Sequence, residues 1–370
     1  MAGRAHDVMI MKTCHALAVL GHNIKIITGK PAKDKNIFDY YGLEPVSRLE
    51  IIQVPMLRGK LFSWRAVFNL FCLLKILALK KEGLNSIIYL REMKLARFLL
   101  KFKKILGIPF VIEVHDLKIK QFYDSCPVIN KTEDYVLKKV DGIVVLLDIF
   151  CKILKETYEI SNTPVVKVPL AAEKIPFSYN PSDHKIIGYI GQLYPMQGVE
   201  ILIEAITYLP DARLSIIGGR EEDIQRLRNI AADKKVGDRI DFHGFVPPHM
   251  IIEKAKETDL MVICALNRGK RRYSAHTKLY EYMAAGKPIV AVDLPSIREE
   301  VVNGKDALLV NPEDPRGLAD AINMVLNDKE LAGSLAAEAY SSADKFTWEK
   351  RAIKLSEFFQ KVCLEFQKKQ

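Results

Sequence analysis

The chain has 370 residues, enough for two domains with separate hydrophobic cores. Its hydrophobic content of 49% and charged content of 27% are typical of a soluble globular protein, and no low-complexity segment occurs. We find no signal peptide and no apolar run of about 18 residues or more, so we expect a cytoplasmic protein without a membrane span.

The cysteines are scattered along the chain and form no CxxC pair. This distribution favours free thiols in a reducing compartment and argues against a zinc site. The six positions are Cys14, Cys72, Cys126, Cys151, Cys264 and Cys363.

The net charge of +10 is concentrated in residues 51–110, which contain twelve basic and two acidic residues. Aromatic residues, among them Phe62, Trp64, Phe68 and Phe71, interleave with the basic ones in the first half of this segment. A basic surface of residues 58–104 that bears aromatic groups can rest on an anionic membrane, which predicts a peripheral protein on the inner face. The alternative is a pair of ordinary surface helices with lysines in water. We expect no nucleic-acid binding, because no recognised nucleic-acid module accompanies the charge.

The first half of the chain alternates between strand and helix patterns, which predicts a parallel sheet with helices on both faces. The chain opens on a helix at 7–20, and no apolar strand precedes it, so we expect a first half that lacks its leading strand or is rearranged. Strands are predicted at 23–28, 49–55, 86–89, 109–114, 142–146 and 165–168, and helices at 65–80, 93–106, 131–139 and 149–158.

His115 and Asp116 directly follow the apolar strand FVIEV, so they lie at a carboxyl edge of the predicted sheet. A histidine at this edge is a candidate polar contact to a ligand. The alternative is a histidine that bonds to the local backbone.

Residues 175–184 contain two prolines and no periodicity, so we predict a linker there. A second alternating series follows it. Its strands are predicted at 185–190, 213–217, 239–242, 260–264, 289–292 and 307–310, and its helices at 199–208, 222–232, 249–256, 277–285, 315–327, 330–343 and 348–367.

The stretch YSAHTKLYEYMAAGKPIVAVD, residues 273–293, predicts a loop, a helix capped by His276 or Thr277, a glycine stop and a buried strand. Because the helix starts at the carboxyl end of a strand, its first N–H groups form an anion site to which Lys278 adds positive charge. Glu281 lies one turn deeper on the same side, where it could bind ribose hydroxyls. The alternative is an ordinary crossover helix with Glu281 in a salt bridge.

The glycine-rich loops match neither the dinucleotide-binding GxGxxG pattern nor the P-loop. Their positions nevertheless support a role in ligand binding, because Gly191, Gly218, Gly244 and Ser274 all come directly after predicted strands. We therefore expect them at one ligand-binding edge of the second sheet.

At these residues the sequence resembles the retaining GT-B glycosyltransferases of the family 4 type, the glycosyl transferases group 1. The resemblance covers nearly the whole chain and is carried by LAVLGHNIKIIT, IPFVIEVHD, GQLYPMQGVEILIEA, LSIIGGRE, FHGFVPPHMI, TDLMVIC, KLYEYMAAGKPIVAVDLPSIREEVVNGKDALLV and FTWEKRA. It implies an α/β fold of two Rossmann-like doubly wound domains, 1–178 and 184–345, that face each other across a cleft. Residues 346–370 would form a helix that crosses back to the first domain.

The same resemblance implies residue roles. His115, Lys278 and Glu281 would be catalytic: His115 faces the donor sugar, and Glu281 is the second Glu of the E-x7-E motif that holds the ribose. No metal or other cofactor is implied. Donor-binding roles fall on Gly3, Gln192, Gln197, Gly219, Arg220, Phe245, Val246, Tyr273, Ser274, Ala275, His276, Thr277 and Leu279.

The chain departs from the family pattern at three positions. Tyr273 stands where the first Glu of E-x7-E is expected, and Gln192 and Gln197 replace the Arg and Lys that grip the diphosphate. A lost charge-assisted hydrogen bond costs about 1.5–3 kcal/mol. Nearby basic residues that could substitute are Lys278, Arg220, Arg268, Lys270, Arg271 and Arg272.

These observations favour an active enzyme that moves a sugar from a UDP-, GDP- or ADP-sugar to a glycan or lipid-linked acceptor in cell-surface glycan or glycolipid synthesis. Two alternatives remain open. One is a catalytically weak or inactive scaffold protein that binds nucleotide-sugars, and the other is an enzyme of the same fold such as a nucleotide-sugar epimerase.

Overall fold

The computed structural model describes residues 5–29, 37–56, 63–80, 86–117 and 130–369, apart from a few side chains such as those of Lys270 and Arg271. The predicted donor-site residue Gly3 therefore lies outside the described residues, as does Cys126. The chain divides into two compact units, Met1–Pro169 together with Trp348–Gln370, and Leu170–Thr347.

The first unit alternates between helices and parallel strands, as predicted. Its strands are β1 (Ile24–Thr28), β2 (Leu49–Gln53), β3 (Ile88–Leu90), β4 (Phe110–Val114), β5 (Gly142–Val145) and β6 (Val165–Lys167). Its helices are α1 (Ala5–Val19), α2 (Ile37–Tyr41), α3 (Trp64–Lys80), α4 (Met93–Leu99), α5 (Lys103–Leu106), α6 (Lys131–Leu137), α7 (Asp148–Glu156) and, from the chain end, α15 (Trp348–Gln367). The helix predicted over 93–106 is thus α4 and α5 joined by a 3-10 turn.

The described strands of the first unit form two separate parallel sheets rather than one continuous sheet. One sheet has the order β1-β2, the other β3-β4-β5-β6, and all pairs are parallel. A doubly wound sheet places its first strand centrally, and no strand precedes α1 in the described part of the chain. As a result, β1 and β3 each pair with a single described strand.

The core of the first unit lies where α1 and α15 pack over β4 and β5. β4 is buried along its whole length, as expected of a central strand of a parallel sheet. Leu17 from α1, Val111 from β4 and Leu355 from α15 belong to one buried apolar cluster. The last helix therefore completes a core whose other members come from the first half of the chain.

The second unit contains one fully parallel sheet in the order β12-β11-β10-β7-β8-β9. Its strands are β7 (Ile186–Ile190), β8 (Arg213–Ile217), β9 (Ile240–Gly244), β10 (Leu260–Ile263), β11 (Ile289–Val292) and β12 (Leu308–Val310). Its helices are α8 (Val199–Ile206), α9 (Glu221–Asp233), α10 (Ile251–Lys256), α11 (Thr277–Ala284), α12 (Pro295–Arg298), α13 (Pro315–Asn327) and α14 (Lys329–Ser342). The strands fall where the sequence predicted them.

The segment predicted as a linker, 175–184, packs within the second unit instead. Phe177 lies against the ring of Tyr340 at 5.0 Å between centroids. The Asp259 carboxylate accepts hydrogen bonds from the Ser182 hydroxyl at 2.9 Å and from the Ile186 N–H at 2.7 Å. These contacts come from residues far along the chain, which is why the local composition did not reveal them.

Three observations bear on membranes, thiols and metals. None of the helices that the structure describes is both long and apolar enough to cross a membrane. The described cysteines Cys14, Cys72, Cys264 and Cys363 form no disulfide bond. The described residues contain no cluster of His, Cys, Asp and Glu that could hold a metal ion.

The position of α15 in the first core leads to a test. Leu355→Ala should lower the free energy of unfolding of the first unit by about 2–5 kcal/mol, because it removes a fully buried side chain and leaves a cavity. Urea unfolding followed by tryptophan fluorescence measures this, since the two tryptophans, Trp64 and Trp348, both belong to this unit. The exposed neighbour control Lys354→Ala should stay within about 0.5 kcal/mol. Equal stability of both variants would contradict this packing.

Candidate functional site

The second sheet has a topological switch point between β7 and β10. From β7 the chain continues to β8 and β9 on one side, and from β10 it continues to β11 and β12 on the other. Ligands of open parallel sheets bind in the crevice at the carboxyl ends of such strands. The loop 191–198, which follows β7, and the loop that leads from β10 into α11 therefore define the candidate site.

The ammonium of Lys278 lies at this switch point. It donates hydrogen bonds to the Tyr189 hydroxyl at 2.7 Å and to the side-chain oxygen of Gln197 at 3.2 Å, and it lies 4.0 Å from the centroid of the Tyr189 ring. The Tyr189 hydroxyl in turn donates to the Gln192 carbonyl at 2.8 Å. Lys278 and Gln197 are buried. The cation is thus held against the loop after β7 at the start of α11.

Three glycines let the loops of this edge approach one another more closely than other residues would. Gly191 has φ +150°, and a Cβ there would lie 3.1 Å from the Lys278 ammonium. A Cβ on Gly218 would collide with the Gly191 carbonyl, and a Cβ on Gly219 would collide with Leu193.

The backbone connects these loops into one continuous edge. The Gly191 N–H donates to the Ile217 carbonyl at 2.9 Å, and the Gly218 N–H donates to the Gly244 carbonyl at 2.6 Å. Arg220 and Phe245 follow directly on this edge. The structure thus brings the loops after β7, β8 and β9 together as their positions after strands predicted.

The start of α11 differs in detail from the prediction. His276 occupies the N-cap position, and the structure describes no capping bond from its side chain to the first turn, so neither proposed side-chain cap is seen. Its carbonyl accepts the Leu279 N–H at 2.9 Å. The N–H end of α11, which carries partial positive charge, therefore points out of the same edge as Lys278.

The remaining predicted residues differ in how far they are buried. Half-buried side chains line the approach to α11 and its first turns: Tyr273, Ser274, Ala275, Thr277 and Glu281. Leu279, by contrast, is buried in the core of the unit. Gln192 is exposed, Val246 is half-buried, and Phe245 is 57% exposed, which leaves its ring accessible for stacking.

Among the other basic residues considered, Arg220 forms an exposed ion pair with Glu222 at 3.2 Å, and Arg268 pairs with Glu313. Lys278 is the described basic side chain that contacts Gln197. It therefore supplies positive charge beside one of the two positions where the family pattern has a cation.

Sequence reasoning missed two tyrosines that fix this arrangement. Tyr189 holds the Lys278 ammonium, and the Tyr282 hydroxyl bonds to both the N–H and the carbonyl of Ile190 at 2.9 and 3.2 Å. Burial raises the pKa of Tyr282 well above its usual value, so its hydroxyl stays protonated. A tyrosine beside buried apolar residues must find a hydrogen-bond partner for its hydroxyl. This requirement was the available sign that the two tyrosines have a structural role.

In the first unit, β4 ends in a buried charged network. Glu113 Oε2 accepts from Arg351 Nη2 at 2.7 Å. The same guanidinium donates to the carbonyls of Val168 and Pro169 at 3.0 and 2.6 Å and to the Thr13 hydroxyl at 3.1 Å. Arg351 therefore joins α15, α1 and the end of β6 to the carboxylate of β4.

His115 is the fourth member of this network. Its Nε2 contacts the side-chain atom Glu113 Oε1 at the end of the preceding strand. Burial alone would raise the pKa of Glu113, but the charges and hydrogen bonds of Arg351 and His115 outweigh it and lower that pKa to about 2. Burial, with the charges of Arg91 and Arg351, lowers the pKa of His115 to about 4 despite Glu113. A neutral imidazole that donates Nε2–H to an ionised Glu113 leaves Nδ1 as an acceptor.

Cys14 lies in the same surroundings and is not a nucleophile. Burial and the charge of Glu113 raise its thiol pKa to about 12. A thiol with this pKa stays protonated at neutral pH and is unreactive.

The network predicts a pH dependence. Because the unfolded chain protonates His115 near pH 6.5 and the folded chain only near pH 4, stability should fall as pH drops through this window. Between pH 7 and 5, the wild-type first unit should lose about 2 kcal/mol relative to His115→Asn, which does not titrate. Urea unfolding by tryptophan fluorescence at both pH values measures this. A difference that is constant with pH would contradict the neutral, buried imidazole.

Comparisons with known proteins match this architecture. Residues 172–342 match the family model described as glycosyl transferases group 1. The D-inositol 3-phosphate glycosyltransferase of Corynebacterium jeikeium is 24% identical over 254 residues, which are 62% of this chain and 59% of that protein. The chain thus spans less than two thirds of the length of the curated relatives it matches.

Two solved structures illustrate the shared fold. Sucrose-phosphate synthase from Thermosynechococcus elongatus superposes with a TM-score of 0.78 at 18% sequence identity. The superposition covers 97% of this chain and 93% of the synthase chain. Anabaena HepE in complex with UDP has a TM-score of 0.74 at 15% identity, with 98% of each chain covered. The α/β GT-B fold predicted from the sequence is confirmed.

Proposed function

We propose that this chain, whose residues 172–342 belong to the group 1 glycosyltransferases, transfers a sugar from a nucleotide-sugar donor to an acceptor hydroxyl with retention of configuration. The observation that carries the proposal is the buried Lys278 ammonium, held by Tyr189 and Gln197 at the N-terminus of α11. A cation and a helix N-terminus at a switch point fit a diphosphate.

The donor is bound by the second unit in this proposal. Phosphates accept from the first N–H groups of α11 and from Lys278, ribose hydroxyls bind Glu281, and the exposed Phe245 ring lies where a base could stack. A uridine nucleotide is the first candidate, because HepE is described in complex with UDP and with UDP-glucose. GDP- and ADP-sugars are the alternatives.

In the reaction, the bond between the anomeric carbon and the donor phosphate oxygen breaks, and a bond to the acceptor oxygen forms on the same face. The acceptor proton passes to the departing phosphate oxygen, and a nucleoside diphosphate leaves. Lys278 and α11 stabilise the charge that develops on this leaving group, so we propose that no metal ion is required. His115 Nδ1 accepts a hydrogen bond from a substrate hydroxyl.

The acceptor in this proposal is a cell-surface glycan or a lipid-linked sugar. A binding protein without turnover is the second candidate. It is favoured by Gln192, whose neutral side chain is exposed at the edge where the family pattern has an arginine. Donor binding and donor turnover must therefore be measured separately.

Nucleotide binding tests the donor site. A thermal-shift screen of UDP, GDP and ADP should identify one ligand that, at 100 times its Kd, stabilises the chain by about 2.7 kcal/mol. Lys278→Met should weaken that ligand by about tenfold to a hundredfold, because it loses charge-assisted hydrogen bonds worth about 1.5–3 kcal/mol. Isothermal titration calorimetry measures the Kd.

The matched control is Lys287→Met. Lys287 is also buried in the second unit, but its ammonium donates to the carbonyls of Lys256 and Thr258, away from the candidate edge. This variant should lose stability but keep the nucleotide Kd of the wild type. Equal weakening in both variants, or none in Lys278→Met, would refute the assigned diphosphate site.

Turnover tests the reaction. With the identified sugar donor and water as acceptor, NMR should show the released sugar first in the anomeric form of the donor, at the same rate with and without EDTA. Lys278→Met should lower this rate, because the leaving diphosphate loses its cation. Release of the opposite anomer, or loss of the rate in EDTA, would exclude the proposed mechanism, and binding without turnover would support the second candidate.

A further inference from the structure

Helix α3 exposes an apolar face to solvent. Its buried side consists of Cys72, Leu73 and Ile76. On the opposite side Leu70 and Leu74 are 50% and 52% exposed, and these two lie in one row with the exposed Ala66 and Ala78. Exposed apolar surface of this kind, continuous along a helix, indicates an interaction site.

Two further exposed apolar side chains lie at the ends of α3. Trp64, at the start of the helix, is 37% exposed. At the other end, the Lys80 ammonium donates to the Ile105 carbonyl at 2.8 Å, which places the end of α3 beside α5, and the Ile105 side chain is 63% exposed. We call Trp64, Ala66, Leu70, Leu74, Ala78 and Ile105 the α3 face.

The charge around the α3 face has one sign. Exposed basic side chains in α3, α4 and α5 and the turn between them are Arg65, Lys80, Lys94, Arg97, Lys101 and Lys104. Between residues 63 and 110, the acidic side chain that the structure describes is Glu92, which caps α4 by accepting the Leu95 N–H. The exposed charged side chains described in α3, α4 and α5 are therefore almost all basic.

We propose that the α3 face docks on the surface of a bilayer that contains anionic lipids. Leu70, Leu74 and Ile105 enter the boundary between headgroups and acyl chains, the Trp64 ring lies at headgroup level, and the lysines contact lipid phosphates. The helix lies in the membrane plane, because no described helix is long and apolar enough to span it.

Charge decides between this occupant and a second copy of the chain. A symmetric contact between two α3 faces would bring the basic elements α3, α4 and α5 of one copy towards those of the other, and like charges at close range repel. An anionic bilayer complements the same lysines. The proposal concerns the first unit and does not depend on the proposed sugar transfer, so either can fail alone.

The test is co-sedimentation of the full chain with vesicles of phosphatidylcholine alone or with 30% phosphatidylglycerol. We expect at least about tenfold stronger partitioning to the anionic vesicles, lost in high salt because screening weakens the attraction. Lys101→Glu/Lys104→Glu should remove most of this preference. Lys354→Glu/Lys361→Glu, the same charge change at exposed lysines of α15, should retain it.

The apolar contribution is tested in the same assay. Leu70→Glu/Leu74→Glu should abolish binding, whereas Leu364→Glu, at a leucine of α15 that is 59% exposed, should not. In a Trp348→Phe background, Trp64 emission should shift to the blue on addition of anionic vesicles. Equal binding to neutral and anionic vesicles, or unchanged binding by Leu70→Glu/Leu74→Glu, would overturn the proposal. A dimer in sedimentation equilibrium that only Leu70→Glu/Leu74→Glu dissolves would assign the α3 face to a second copy instead.

Discussion

The candidate site of the second unit is organised around the buried ammonium of Lys278. An ammonium is costly to remove from water unless polar groups replace its hydration, and Lys278 receives such groups from the hydroxyl and ring of Tyr189 and the amide of Gln197. These contacts require α11 to begin beside the loop after β7. Glycine suits position 191 of that loop, because other residues rarely adopt its φ of +150° and a Cβ would lie 3.1 Å from the ammonium. The fixed cation and the helix N-terminus then make a preorganised place for negative charge.

A different charged network stabilises the first unit. Glu113 lies in a strand that is buried on both faces, and its charge is retained because Arg351 and His115 both donate to it. A buried carboxylate without such partners would be strongly destabilising. Burial keeps the imidazole neutral despite Glu113. The hydrogen bond from its Nε2 to Glu113 leaves Nδ1 as the acceptor, so the network that links α15 to the unit also orients His115. The side chains that it joins belong to residues 13, 113, 115 and 351, which no local pattern connects.

Much of the fold could be read from local patterns. Short apolar runs predicted the strands, glycine and proline marked the ends of α11, and the order of elements predicted parallel sheets. The edge of the second sheet was predictable for the same reason, since residues directly after parallel strands must lie at one edge. The prediction of a linker failed because contacts with residues far along the chain decide where that segment packs. The segment 175–184 has a loop-like composition, yet Tyr340 and Asp259 bind it into the second unit.

The sequence by itself determined that this is an α/β protein of the GT-B type, with a candidate anion site at the start of α11 and a basic segment in its first half. Periodicity, glycine positions and charge are local properties, so they can be read directly from the sequence. Only the tertiary structure decided that Lys278 stands beside Gln197, that Arg351 binds Glu113, and that the described strands of the first unit form two sheets. It also decided that Leu70 and Leu74 face solvent, because burial depends on which neighbours pack against a helix that is apolar on every side.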